Sequence, residues 1–395
     1  MIKIKHFRDN LLKKKPDFYI FLILIISTFN ILSHFVEKKI YGTFSIFGDF
    51  LVYRCAGIQS INKLSPYGIN KLQDCLNSYP NSLDFFYPPI ILNFFSLFGY
   101  LSLKESLWIW GTLIFVSLIF ILYISKKLFI KNSSIVLVLL IFLFSFGGLN
   151  WTGLLTGNIS IIIYGLISLG IFFLLKKKNN YFYFLIFICS IVKPTYFIFS
   201  ILPIFLQNKI ILKEVYKIII CLFAILTIYL FSYLNNPELF IEFLNHLKYG
   251  RSEDFKIIFG QGFGLFSVIN HFSLLIINFF QIEINITLIS NIIWLMITFL
   301  LIYYSLLIIN KKKLLFNEKI AYGVCVITFC YPLLKHYECF IVIPCIYFLI
   351  SNYKINFKYL MIIFMFCVHD KYAILFLLSL TLFYEILLTN KKYNS

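Results

Sequence analysis

The chain is short of charge. Asp, Glu, Lys and Arg make up only 13% of its 395 residues, about half the share in an ordinary soluble domain. Acids are the scarcer sign, 17 against 35 lysines and arginines. No CxxC pair is present among the cysteines, and the six histidines lack the His/Cys spacing of a zinc site. A glycine-rich phosphate loop is missing too. The basic residues do not form the contiguous stripe with interleaved aromatics that marks a nucleic-acid face. Together these absences speak against a soluble globular domain, a zinc module and a nucleic-acid binder.

What fills the chain instead is apolar sequence, 61% of all residues. The runs Phe18–Phe35, Ile135–Phe146, Ile159–Leu175 and Ile286–Ile309 each have, or nearly have, the length to cross roughly 30 Å of hydrocarbon. Such runs extend from end to end and leave no room for a soluble domain. The sequence therefore reads as a single all-α polytopic membrane domain, 1–395.

The formal charge of +18 reports orientation. Lysines cluster between apolar runs: Lys13–Lys15, Lys126-Lys127, Lys176–Lys178, Lys311–Lys313 and Lys391-Lys392. Clusters of this kind mark cytoplasmic loops. Phe18–Phe35 is too long for a signal-peptide core and reads as a retained first helix. The segment 37–89 then becomes a long first outer loop. Ile90–Leu103 is short for a span and is expected to be half-embedded. Tyr181–Leu206 carries Lys193-Pro194 in its middle, and proline breaks a helix because it lacks the amide donor. Two short helices meeting there keep the flanking lysines cytoplasmic. A second outer loop is expected at 235–262, an interfacial or re-entrant segment at Phe263–Phe280, and a last hairpin in Tyr359–Thr389. Abundant Lys, Asn, Ile, Phe and Tyr suit an AT-rich genome, hence a bacterial inner (plasma) membrane.

Most cysteines lie in apolar runs and act as small hydrophobes. Cys55 and Cys75 share the first outer loop and could be bridged if it faces an oxidising compartment.

In this topology five polar features converge on the outer side: Asp49, Tyr87-Pro88-Pro89, Gly153–Asn158, Lys193-Pro194, and Lys335-His336-Tyr337-Glu338. Ionisable groups at membrane depth are costly and point to function. Asp49 suits a general base on a hydroxyl, or else a plain helix cap. Lys193 suits the neutralisation of a phosphate leaving group, or else snorkels to the interface. His336 could assist either role or be an ordinary loop residue. Tyr53, Tyr67 and Tyr87 read as substrate-binding or as interfacial aromatics. Asp84 and Asp254 remain open as metal ligands, and no metal site is assigned.

At these residues the chain resembles glycosyltransferase family 87, the polyprenol-phosphate-mannose-dependent mannosyltransferases of the GT-C superfamily. The resemblance rests on an ordered set: Asp49, Val52-Tyr53, Pro66-Tyr67, Tyr87-Pro88-Pro89, Gly157-Asn158, Lys193-Pro194, Pro332 and His336. Asn158 stands where the family often has Gln, and Leu334-Lys335 replaces a Ser-Trp-like pair. Both differences bear on the sugar more than on the reaction. The resemblance implies a GT-C-like bundle of roughly 8 to 12 membrane helices, some of them short and re-entrant. It implies inverting transfer of a mannose-like hexose from a polyprenyl-phosphate sugar to a lipid or glycan hydroxyl at the outer face, without a cofactor. Asp49 would be the base; Lys193, His336, Tyr53, Tyr67, Tyr87 and Asn158 would bind substrate. Two other readings compete. A flippase of lipid-linked sugars would favour internal repeats, which are not evident. An O-antigen-type polymerase would carry a large arginine-rich late loop, where this chain has only Arg251.

Overall fold

The computed structural model describes residues 46–68, 71–76, 84–131, 134–147, 149–207, 212–249, 264–280, 286–312, 314–332, 334–335 and 338–351, with isolated positions at 28 and between 361 and 379. The expected first helix Phe18–Phe35 lies outside them, as does most of Tyr359–Thr389. Every regular element among the described residues is helical.

Within 37–89, expected to be a loop, the described residues include helices. Helix α1 (Gly48–Ile61) carries Asp49 in its first turn. Its polar residues disguise a buried face of Phe50, Val52, Tyr53, Ala56 and Gly57. The short helix α2 (Gln73–Leu76) is tied to α1 by a Cys55–Cys75 disulfide. A 3-10 turn at Pro89–Ile91 leads into α3 (Leu92–Gly99). Proline suits such a start because its missing N–H would have no partner there. Eight residues reach only about 12 Å, so α3 is too short to cross a bilayer, in line with the half-embedded reading. It folds back on α1 so closely that a Cβ at Gly57 would lie 2.2 Å from the Phe95 carbonyl oxygen.

Helix α4 (Leu103–Leu128) begins with a capping box between Ser102 and Glu105. Lys104 and Glu105 lie in its first turn. After α5 (Ile135–Phe144), capped by Ser134, the chain turns at Phe146 into α6 (Leu149–Thr156). Helix α7 (Ser160–Leu175) follows, then α8 (Asn179–Val192). α8 stops at Lys193, whose backbone is extended, and Pro194 starts a 3-10 stretch to Ile201 and then α9 (Leu202–Leu206). The break falls at the expected dipeptide.

Helix α10 (Leu212–Asn235) is followed by α11 (Pro237–Tyr249). The start of 235–262, expected to be a second outer loop, is thus helical; 250–262 lies outside the described residues. Asn236 caps α11 by accepting the Leu239 amide at 3.1 Å. Helices α12 (Leu265–Phe280), α13 (Ile286–Lys312), α14 (Phe316–Cys330) and α15 (Val342–Ser351) complete the described chain. α14 is buried on all sides from Lys319 to Thr328, as befits a helix at the centre of a bundle. Three described helices, α4, α10 and α13, are long and apolar enough to cross a membrane.

The bundle has two chemically different ends. At one, the Lys127 and Lys176 ammoniums lie 5.1 and 5.9 Å from the Phe172 ring. There Asn317 donates to the Leu128 carbonyl at 2.9 Å, and Lys319 to that of Leu206 at 3.2 Å. The ends of α4, α7 and α9 therefore meet the start of α14. At the other end Trp110, near the start of α4, donates to the Gly157 carbonyl at 2.8 Å. α7 runs between the two ends, 16 residues or about 24 Å.

Candidate active site

Asp49 sits where three elements meet, at the end opposite Lys127 and Lys176. Its Oδ2 accepts from the Thr156 hydroxyl at 2.6 Å and the Asn158 side-chain amide at 2.9 Å. Gly157, between those two donors, takes a φ of +70°. That left-handed turn lets α6 end and α7 begin with Thr156 and Asn158 facing the same carboxylate. Asn158 is itself fixed, because its Oδ1 accepts the Ser160 amide at 2.9 Å. Phe47, just before α1, donates its backbone N–H to the Leu155 carbonyl at 2.7 Å. Burial pushes the Asp49 carboxyl above the usual range. The hydrogen bonds from Thr156 and Asn158, and the charge of Lys335, oppose that rise.

Aromatic rings pack beneath. Phe50 stacks on Trp110 at 4.9 Å and Tyr53 on Phe95 at 5.0 Å. The Tyr53 and Tyr87 hydroxyls share a hydrogen bond at 3.2 Å, and Tyr67 donates to the Tyr87 carbonyl at 2.8 Å. The three expected tyrosines thus form one connected group. Tyr53 and Tyr67 are buried, while Tyr87 is half-buried. α11 closes over this group: His246 stacks on Phe86 at 4.5 Å, and Phe243 lies 5.5 Å from Tyr67.

The cations lie on the other side of Asn158. Ser160 Oγ accepts the Tyr196 hydroxyl at 3.1 Å. The Lys193 ammonium lies 5.6 Å from the ring centres of both Tyr196 and Tyr331. Lys193 pairs with Glu338, a fully buried carboxylate. The other Glu338 oxygen accepts the Lys335 backbone amide at 2.9 Å. Burial lowers the Lys335 pKa and Lys193 lowers it further, while Glu338 and Asp49 pull it back up. Asp49, Lys335, Lys193 and Glu338 therefore share one electrostatic neighbourhood.

Of the expected site residues, the structure brings together Asp49, Asn158, Tyr53, Tyr67, Tyr87 and Lys193. His336 lies outside the described residues, as does Asp254. Sequence reasoning gave no role to Thr156 or Glu338. Glu338 had a signal: a lysine placed deep in a membrane protein calls for an acid. Thr156 had none, because its value depends on the Gly157 turn. Among the described residues no three His, Cys, Asp or Glu side chains gather as a metal site.

Fold and site define an all-α membrane protein with a carboxylate set against paired lysines at one end of its bundle. Residues 85–332, more than half of the chain, match the model of glycosyltransferase family 87. The chain belongs to that family and is a glycosyltransferase. The match holds Tyr87-Pro88-Pro89, Gly157-Asn158 and Lys193-Pro194; Asp49, Lys335 and Glu338 lie outside it. No curated protein and no solved structure matches the chain.

Proposed function

We propose that this glycosyltransferase moves a mannose-like hexose from a polyprenyl-phosphate sugar to a hydroxyl on a lipid or glycan acceptor, with inversion, at the outer face of the membrane. One observation carries the reading: a carboxylate held by two neutral donors stands in the same neighbourhood as two lysines, away from the lysine-rich end. Both donors address Oδ2 of Asp49, and no described residue donates to Oδ1. Oδ1 takes the acceptor proton as the acceptor oxygen attacks the anomeric carbon from the face opposite the phosphate. The bond from that carbon to the phosphate oxygen breaks, and the polyprenyl phosphate departs with the electron pair. A base raised by burial is matched to this task near neutral pH.

Lys193 offers three N–H donors; one is spent on Glu338, which leaves two for the departing phosphate. His336 belongs to the same role. Tyr87 and Asn158 border the sugar, with Tyr53 and Tyr67 holding Tyr87 in place. A groove of about 480 Å³ beside Phe47, lined by Leu107, Trp108 and Phe115, suits an apolar lipid tail close to Asp49.

Orientation rests on two independent features. Lysine clusters favour the cytoplasm, and they gather at the end opposite the site. The Cys55–Cys75 bridge lies on the site side, as disulfides persist in oxidising compartments. The test is turnover of purified protein with a short polyprenyl-phosphate mannose. Asp49→Asn keeps shape but removes the base, and should cost about 10²–10⁴-fold. Wild-type turnover in that variant would overturn the assignment.

A further inference from the structure

Glu338 is an odd residue to find beside a phosphate. It is fully buried, it is negative, and it is bonded to the lysine that best suits the leaving group. A buried carboxylate is costly unless paired. Here both of its oxygens are occupied, one by Lys193 and one by the Lys335 amide. The four ionisable groups, Asp49 and Glu338 against Lys193 and Lys335, sum to zero when all are charged. Without Glu338 the same pocket would carry an excess positive charge.

That balance matters because the proposed donor and product differ in charge. A polyprenyl-phosphate sugar is a phosphodiester with one negative charge. The released polyprenyl phosphate is a monoester that carries close to two at neutral pH, with a second pKa near 6. A purely cationic pocket would hold the product more tightly than the donor. We infer that Glu338 sets the charge selectivity of the phosphate site, making it disfavour the dianionic product so that the product leaves. This rests on the reading of Lys193 as a phosphate ligand. The same carboxylate aims the ammonium, since its second oxygen is anchored to the backbone of the α14–α15 turn.

The sign of the effect separates this role from a merely structural one. Loss of a structural contact would weaken ligand binding. Loss of the counter-charge should strengthen binding of a dianion, provided Lys193 stays in place. Two probes suffice: farnesyl phosphate, a monoester, and its monomethyl ester, a diester monoanion. Binding of each is measured directly on purified full-length protein in detergent at neutral pH. The wild type should bind the diester at least as well as the monoester. Glu338→Gln, which keeps the shape and a carbonyl for the Lys335 amide, should bind the monoester about tenfold tighter, a change of about 1.4 kcal/mol. Its diester affinity should move much less, and turnover should become strongly product-inhibited.

A wild type that prefers the monoester would overturn the inference without any variant. So would a Glu338→Gln protein that binds both probes equally or more weakly. The phosphate reading fails separately: Lys193→Gln that binds the diester as the wild type does would remove Lys193 from the site.

Discussion

Gly157→Ala tests the architecture of the site without touching a charged group. The residue has a φ of +70°, and a Cβ there would lie 2.7 Å from Phe47 Cδ1 and 3.3 Å from Phe50 Cβ. An L-residue in the left-handed region costs roughly 1–2 kcal/mol. Relieving an overpacked contact costs about 1–3 kcal/mol more. The sum, about 2–5 kcal/mol, is a large part of a typical folding free energy of about 5–15 kcal/mol. The strain has few outlets. Phe47 is fixed by its bond to Leu155 and itself has a φ of 58°, and the Gly157 carbonyl is held by Trp110. Either the Phe47 ring turns away or the 155–158 turn shifts and takes Thr156 and Asn158 with it.

The second outlet moves both donors to Asp49 at once. A misplacement of about 1 Å can cost about 10²-fold in rate. The assay pairs a detergent melting curve with turnover per folded enzyme. The melting curve has its own control: Gly111, in α4, has no described atom within 4 Å of an added Cβ. Gly111→Ala should be neutral or stabilising by up to about 1 kcal/mol, the helix-propensity gain over glycine. If Gly157→Ala matches wild type in both rate and melting, the turn does not hold the site together.

Three further outcomes are expected. Lys193→Gln should lose about 10²–10³-fold in turnover, with Lys193→Arg a partial rescue because a guanidinium is a planar fork and not a compact charge; equal rates for Lys and Gln would return Lys193 to a snorkelling role. Thr156→Val deletes a hydrogen bond that lowers the Asp49 pKa, so the base holds its proton to higher pH and the acidic limb of kcat/KM should move up; an unmoved or lowered limb would refute the base assignment. Single cysteines at the exposed Tyr100 and Lys177, in a background without free cysteines, should react with an impermeant thiol reagent in intact cells only at 100; labelling at 177 alone would invert the topology.

Much of the helical order was legible because apolar runs and lysine clusters are local signals. The Lys193-Pro194 break could be read from one dipeptide, since proline removes a donor wherever it falls. Helix α1 was not legible within 37–89 because its polarity is averaged over positions. Tertiary packing, Gly57 against the Phe95 carbonyl, Phe50 on Trp110 and Tyr53 on Phe95, makes one face of α1 a buried one. The site was legible in its charged members and not in its neutral ones. Asp49 and Lys193 stand out against apolar surroundings, whereas Thr156 matters only after a turn has aimed it 107 residues back along the chain. The Lys193–Glu338 pairing spans 145 residues and could be sought by charge balance but not located by spacing.

The broken helices have a consequence for the charge of the site. α1 begins at Gly48, one residue before Asp49, and α7 begins two residues after Asn158, so two helix N-termini open beside the carboxylate. Such ends carry a partial positive charge, about half a unit each. They favour the ionised form of Asp49, yet burial prevails and the carboxyl stays raised. Both influences would suit the proposed base: the dipoles favour its ionised form, and burial keeps it basic. The same N-termini would draw a phosphate toward Asp49, where two like charges would oppose attack. Lys193, the extended residue that ends α8, and Lys335 lie beyond Asn158, and in the proposed reaction they would give the phosphate a better place. A span unbroken from Tyr181 to Leu206 would carry Lys193 as one helical side chain beside the buried Cys189, Val192 and Tyr196. Breaking it there turns a membrane helix into a platform that presents a cation at its tip.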